Sequence, residues 1–264
     1  MIANLWRQRE LTWQFVKREV VARHRGTYLG LAWSVVLPLF MLAVYTFIFS
    51  VVFKAKWNLS ADESPARFAV TMFCGTILFD VFAATVGNAP SVIVNNPNYV
   101  KKVVFPLEVL PLALLGSSLV YGAISLVVLL AGVVLLQGYV PATAWLFPLV
   151  VLPLLMFSAG LAWFFAGLGV FLRDIRQLIS GVLMPVLFFM TPIFYPIDRV
   201  PERFRIVLQL NPLSPIVDSA RRVLMWGQAP DWLGLAATAV IGGVVMLLGY
   251  AFFMKGKRGF ADVL

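Results

Sequence analysis

The sequence predicts an all-α integral membrane protein with six transmembrane helices. Three observations carry the prediction. Of 264 residues, 61% are hydrophobic and only 12% charged, whereas soluble domains run about 45–50% apolar and about 25% charged. Six apolar segments each reach the roughly 20 residues that cross hydrocarbon. The Lys and Arg residues between them are unevenly shared between the two sides. This composition excludes an ordinary soluble domain, a disordered chain, a disulfide-rich secreted scaffold and, despite a net charge of +9, a nucleic-acid-binding domain. The single cysteine, Cys74, cannot form an intrachain disulfide.

The elements follow in order. Residues 3–25 interleave charges with Leu5, Trp6, Leu11, Trp13, Phe15, Val16, Val20 and Val21. Trp6, Trp13, Val16 and Val20 recur near helical spacing, which predicts an N-terminal amphipathic helix on the membrane interface. It either anchors the chain to anionic lipid or lies beside a partner or substrate path. No cleavable signal peptide is expected, because the start lacks an early apolar core followed by a small-residue site. Spans are predicted at about 31–53, 69–90, 107–136, 145–172, 177–197 and 232–254. Pro111, Pro148, Pro153 and Pro185 are candidate kink sites. The fifth span is the weakest, since it ends in Thr191-Pro192-Ile193-Phe194-Tyr195-Pro196.

Two connections are more than plain loops. The stretch from Asn95 to Pro106 has prolines bracketing one or two helical turns. It reads either as a loop with two lysines or as a docking helix for a soluble partner. Residues 198–231 carry two apolar groups, Phe204 to Leu210 and Ile216 to Leu224, broken by Asn211-Pro212-Leu213-Ser214-Pro215. They predict two amphipathic helices dipping into one leaflet, as the closure of a pathway or as a structural cap.

One side of the membrane carries 13 Lys/Arg and the other 8. The richer side holds the N-terminal segment, the connections at 95–106 and 173–176, and the C-terminal tail. The positive-inside rule makes that side, and both termini, cytoplasmic. No internal repeat or linker divides the chain, so 1–264 is one membrane domain, and an inverted-repeat transporter is disfavoured.

Catalytic chemistry is not in evidence. His24 is the only histidine, sits between two arginines and lacks partners for metal binding or acid–base work. No catalytic residues, metal ligands or cofactor are expected on this chain. The phosphate-binding pattern GxxxxGK[ST] is missing, so ATP-driven work requires a separate nucleotide-binding subunit. Asp80 is the one acid inside a span. Such acids default to functional candidates, here for proton coupling, for a structural role, or for a place near the outer interface. Tyr45, Phe49 and Phe53 recur at i, i+4, i+8 in the first span, and Phe188, Phe189, Phe194 and Tyr195 cluster late in the fifth. Most aromatics serve packing or interfacial belts, but flat rings also suit the C–H faces of a sliding sugar chain.

The order of motifs resembles a known family. Arg23-His24-Arg25-Gly26-Thr27-Tyr28-Leu29-Gly30-Leu31-Ala32-Trp33-Ser34 leads to Pro38 and the first span. Then come Asn96-Pro97, Val100-Lys101-Lys102, Phe105-Pro106, Phe171-Leu172-Arg173-Asp174-Ile175, Thr191 to Pro196, and Asn211 to Pro215. Along its whole length the chain resembles the permease subunits of bacterial polysaccharide ABC exporters, the Wzm-type O-antigen transporters. It is similar also to capsule and teichoic-acid permeases.

The resemblance implies a homodimeric, channel-forming permease of the bacterial inner membrane, working with two copies of a separate ATPase that holds ATP and Mg. The substrate would be a lipid-linked polysaccharide, above all undecaprenyl-diphosphate-linked O-antigen, moved from cytoplasm to periplasm. A coupling helix would lie at about 95–105, with Asn96, Pro97, Tyr99, Lys101 and Lys102 at the ATPase. Periplasmic gate helices would lie at about 200–226, with Phe204, Leu208, Pro212, Pro215 and Arg221. Trp33, Tyr45, Phe49, Phe188, Phe194 and Tyr195 would supply channel aromatics. Lys17, Arg23 and Arg25 are candidates for the substrate pyrophosphate, by charge and position; topology and lipid contact explain them equally well. A proton-coupled secondary transporter is the rival of a different class.

Overall fold

In the computed structural model the protein is described over residues 6–23, 28, 30–52, 65–101 and 105–263. Among these residues every regular element is helical. The N-terminal helix α1 spans Arg9–Arg23. Helix α2, Trp33–Tyr45, runs on into a π turn, Thr46–Val52. Helix α3, Pro65–Val92, leads to the short α4, Pro97–Lys101. Then follow α5, Val109–Gln137, and α6, Phe147–Phe171. Helix α7, Ile175–Met190, contains a π turn at Ile179–Leu183. Two short helices, α8 (Glu202–Gln209) and α9 (Leu213–Arg221), precede the long α10, Trp232–Gly256, and a final turn of helix, α11, Phe260–Val263.

By length and composition α3, α5, α6 and α10 can each cross a membrane. Helices α2 and α7 are apolar but shorter. The expected fifth span, 177–197, is therefore cut back. From Ile175 to Met190 a helix covers roughly 24 Å at 1.5 Å per residue, short of a hydrocarbon core about 30 Å thick. Thr191 is extended, with ψ 134°, because Pro192 disfavours the helical region for the residue before it.

Helix α3 lies at the centre and is the most enclosed of the long helices. Glycines report the directions of its neighbours. Gly122 and Gly132 of α5 face Val81 and Val70 of α3, so those two run antiparallel. Gly169 of α6 meets Pro90 of α3, and Phe82 stacks on Phe157 at 5.8 Å, so α3 and α6 run parallel. Gly160 and Gly249 bring α6 and α10 into direct backbone contact, also parallel. Small residues at helix crossings are the usual way to bring backbones together where lipid offers no hydrophobic drive. Helix α7 runs against α3, with Met184 beside Gly87 and Phe188 against Phe79. These directions alternate along the chain, and the two terminal helices meet at one end of the bundle.

Helix α1 departs from the expected face. Leu11, Thr12, Phe15, Val16, Glu19 and Val20 form the covered stripe, while Trp6 and Trp13 are exposed. Trp13 is three residues from Val16, but the stripe is centred on Phe15 and Val16, which leaves Trp13 at its outer edge. Helix α1 runs alongside α5 in the same direction. Gln8 reaches Glu108, Val16 seats on Gly116, and Tyr121 donates to the Val20 carbonyl at 2.9 Å.

Asp80 is also relocated. It lies about 22 Å along α3 from Pro65, level with Arg23 and Tyr121 rather than near the Phe68 end. The side chain of Phe49, together with Arg25, Phe53 and Lys102, falls outside the described residues. The π turn from Thr46 widens the helix, so spacing by four no longer holds one face there.

Candidate functional site

At the end that carries both terminal helices, the chain builds a joint between α1, α4 and the start of α5. Arg18 donates from Nη1 to the Tyr99 hydroxyl at 2.6 Å and from Nη2 to Asn96 Oδ1 at 3.5 Å. Its guanidinium also lies 4.4 Å from the Phe15 ring centre. Phe15, Tyr99 and Phe105 form a triangle, with centroids 4.7 to 5.5 Å apart. Asn96 is anchored in turn, donating to the Val92 carbonyl at 2.9 Å. Pro97 starts α4, where its missing N–H is no loss. Lys101 ends α4 on its exposed side. Four of the five residues expected at the coupling helix thus sit in or beside α4, and Asn96 and Tyr99 are tied to α1.

Behind the joint sits Glu108, just before α5 and 2% exposed. Its carboxylate accepts from Lys257 Nζ at 2.8 Å and from Gln8 Nε2 at 3.3 Å, and its carbonyl accepts from Trp163 Nε1 at 3.0 Å. One residue therefore ties α1, α5, α6 and the C-terminal segment. Burial pushes the Glu108 carboxyl up, but the Lys257 ammonium and the surrounding donors outweigh it and hold the group below its ordinary value. A depressed carboxyl stabilises the fold above its unfolded value, near pH 4.3, and the contribution is lost as pH falls through the folded value. Lys257→Met is expected to cost about 2 kcal/mol at neutral pH, because it strands a buried carboxylate. The gap from wild type, read from melting temperatures in detergent, should shrink toward pH 4.

Sequence reasoning missed Phe15, Arg18, Glu108 and Lys257 as joint residues. The one available signal was an acid, Glu108, placed directly before a long apolar run.

The basic candidates separate. Lys17 lies over the Trp13 ring at 5.4 Å, on the exposed face of α1. Arg23 lies over Tyr121 at 4.6 Å and lines a cavity of about 360 Å³ between α2, α3 and α5. Trp33 and Asp80 line the same cavity.

The aromatic candidates also separate. Tyr45 packs edge-on to Phe194 at 6.2 Å, and Phe194 meets Phe188 at 4.9 Å and Phe189 at 6.0 Å. Tyr45, Phe188 and Phe194 thus form one group; Tyr45 also lines the cavity, three turns of α2 from Trp33. Tyr195 donates to the Phe189 carbonyl at 2.7 Å and shares a shallow apolar groove with Phe204 and Leu208.

The turn between α8 and α9 is built by Asn211, which donates to Thr191 Oγ1 at 3.0 Å and accepts from the Leu213 amide at 3.0 Å. Pro212 precedes α9, and Pro215 sits in its first turn beside Gly234. Arg221 is 1% exposed. It donates to the carbonyls of Thr71 at 3.1 Å, Pro192 at 2.7 Å and Ile193 at 2.9 Å. It therefore clamps α9 to α3 and to the chain after α7.

The chain is similar in sequence to known proteins. An O-antigen export system permease protein, RfbA, of Myxococcus xanthus is 29% identical over 99% of this chain and 98% of its own length. The RfbA protein of Klebsiella pneumoniae is 26% identical over 94% of this chain and 92% of its own. The polysialic acid transport protein KpsM of Escherichia coli is 24% identical over 89% of each. The ABC-2 type transporter model matches residues 10–225, from α1 through the joint, the cavity and the Arg221 clamp to the turn after α9, and the chain belongs to the ABC-2 type transporter family.

Proposed function

We propose that this chain is the channel-forming permease of an ATP-driven exporter of lipid-linked polysaccharide, with O-antigen as the substrate class. The observation that carries the reading is the joint. A short helix that ends in an exposed lysine is held to α1 by Arg18 and set against the aromatic triangle. Such a helix can take a push from a soluble partner and pass it to α1 and α5 together. The near-full-length similarity to O-antigen export permeases supports the substrate class.

In this reading the permease is a homodimer with two copies of a P-loop ATPase, which carries the ATP and Mg. The joint end is cytoplasmic, both termini with it, and the protein lies in the bacterial inner membrane with six crossings. Helix α4 docks in the ATPase through Asn96, Pro97, Tyr99, Lys101 and Lys102. ATP binding moves α4, and α1 and α5 follow because Arg18 and Glu108 link them. The glycan is loaded from the inner leaflet, its pyrophosphate met by Lys17 and Arg25, with Arg23 nearby at the cavity. Tyr45, Phe188 and Phe194, with Phe49, Trp33 and Tyr195, offer rings to the passing sugars. Helices α8 and α9 close the periplasmic end. The apolar exposure of Phe40 and Phe47 on α2 and of Val186 and Phe189 on α7 suits a lipid or protomer-facing surface.

Two measurements test the proposal. Affinity purification from native membranes should bring down a stoichiometric P-loop ATPase. Deletion should remove a surface polysaccharide while its lipid-linked form accumulates inside. A preparation without any ATPase, under conditions where related complexes survive, would overturn the proposal. The similarity to KpsM favours a second reading, a capsule exporter. It is distinguished by which glycan leaves the cell surface. A proton-coupled transporter would instead lose all transport on Asp80→Asn.

Arg18→Gln is expected to lower transport about tenfold, the worth of one charge-assisted hydrogen bond, while the ATPase still co-purifies. Transport and ATP hydrolysis measured side by side in proteoliposomes check this. Equal losses in both would place Arg18 in docking rather than transmission.

A further inference from the structure

The C-terminal segment does not trail away as a solvated tail. Phe260 is 0% exposed. Its ring packs against those of Phe253, with centroids 5.5 Å apart, and Phe171, at 5.8 Å. Gly256 makes room for this cluster, since a Cβ there would meet the Phe260 and Phe171 rings at 3.4 and 3.5 Å. Next to it, Lys257 donates to Glu108 at 2.8 Å. Chain ends normally fray, because ordering them costs backbone and side-chain entropy. Here a buried ring and an ion pair on a buried carboxylate offset that cost and hold the last turn of helix in place.

That place is beside α4. Cα atoms of α11 lie within 8 Å of Cα atoms of α4. Arg18 ties α4 to α1, and α11 borders it as well. On α4 and just before it, Asn95, Pro97, Asn98 and Lys101 are exposed. On α11 and just before it, Arg258, Ala261, Asp262 and Val263 are exposed. Size limits what α4 can do by itself. It has five residues, or about 7.5 Å of helix. A stable protein–protein interface buries about 800 Å² on each side, from roughly 20–30 residues. Five residues supply a small part of that, so a partner seated on α4 reaches past it. Helix α11 is a neighbouring surface held firmly enough to meet it.

We infer that the C-terminal turn is part of the surface on which the ATPase docks, with Arg258, Ala261, Asp262 and Val263 extending the contact made by α4. The inference rests on the export reading and names a second part of its partner surface. The occupant is a soluble protein whose groove seats two short helices side by side and answers charges of both signs. An anionic lipid surface would suit Lys101 and Arg258 but repel Asp262. The arrangement also adds a route for movement. A push on α4 reaches α1 through Arg18. A push on α11 reaches α5 through Lys257 and Glu108, and α6 and α10 through the rings around Phe260.

The test places the photo-crosslinking residue p-benzoylphenylalanine at Asn98, at Val263 or at Trp145 of the full-length permease in its native membranes. Val263 is 46% exposed, and Trp145, exposed before the start of α6, lies at the other end of the bundle. Asn98 and Val263 should each give an adduct with the P-loop ATPase that co-purifies with the chain, identified by mass spectrometry, and Trp145 should not. An adduct from Asn98 but none from Val263, or a lipid adduct alone from Val263, would overturn the inference and leave the export reading standing. No ATPase adduct from either would overturn both. An equal adduct from Trp145 would overturn the inference too. Ala261→Arg is the second measurement. Its side chain points to the exposed side, so melting should match wild type, while the ATPase retained per permease should fall about tenfold, as for a central interface residue. Retention equal to wild type would overturn the inference.

Discussion

Gly249→Val is expected to destabilise the protein by about 3 kcal/mol or more. A Cβ at Gly249 would fall on the Gly160 carbonyl, and one at Gly160 would lie 2.5 Å from the Met246 amide nitrogen. Backbone atoms in the middle of two long parallel helices cannot move aside as a side-chain tip can. The added volume must be met by separating α6 from α10 along most of their contact. Overpacking alone typically costs about 1–3 kcal/mol. Here it also strips the close packing that substitutes for hydrophobic drive inside a bilayer. The control is Gly243→Ala, whose Cβ would meet only the flexible Met156 Cε at 3.2 Å. That change should be neutral or slightly stabilising, since alanine outranks glycine in a helix by about 1 kcal/mol. Melting curves of the purified permease in detergent separate the two. A Gly249→Val protein that melts with wild type would show that α6 and α10 do not pack as described.

Arg221→Met is expected to cost about 3 kcal/mol. Removing a buried cation also removes its desolvation penalty, which opposes the loss. Three carbonyls decide it. Those of Pro192 and Ile193 lie outside any helix and take their donors from this guanidinium. Each buried carbonyl left without a donor costs about 1–3 kcal/mol. Arg221→Lys should be at least as damaging. Lysine keeps the charge but cannot spread planar donors over three acceptors. The order Lys no better than Met, read from melting temperatures, distinguishes a hydrogen-bonding clamp from a role of charge alone. A methionine variant with wild-type melting would show that the clamp is dispensable. The clamp also has a functional consequence under the export reading. It joins α9 to the second turn of α3, so a closed periplasmic end and the central helix move together. Weakening it should raise leakage before it abolishes assembly.

Much of the architecture was legible in the chain because burial in lipid is a composition problem. Helices α3, α5, α6 and α10 stand where apolar runs of sufficient length stand, within a few residues. The short-helix pair was legible from Asn211-Pro212-Leu213-Ser214-Pro215, where two prolines and an asparagine that caps the next turn stop one helix and start another. The boundary of α7 was harder. The apolar run continues through Ile193, Phe194 and Tyr195, and only the Thr191-Pro192 step ends the helix.

The candidate site was legible as segments and not as contacts. Asn96, Pro97, Tyr99 and Lys101 were marked by two prolines and two lysines, but nothing in their spacing names Arg18, which is 81 residues from Tyr99. Arg221 reads as one more surface charge in an amphipathic helix, yet it is almost wholly enclosed. Glu108 counts as one acid in a charge balance, yet it joins four segments.

Sequence alone therefore determined what each segment can tolerate around it: lipid, water or the boundary between them. Hydropathy, proline and charge are local properties, summed over a turn or a span, and they place elements and sides. Which polar group answers which is not local. Gln8 with Glu108, Arg18 with Tyr99 and Arg221 with Pro192 are set by helix directions and by glycines at the crossings. Only the packed bundle decides these, because a buried donor takes the acceptor that the crossing helices bring within about 3 Å, however far apart the two lie along the chain.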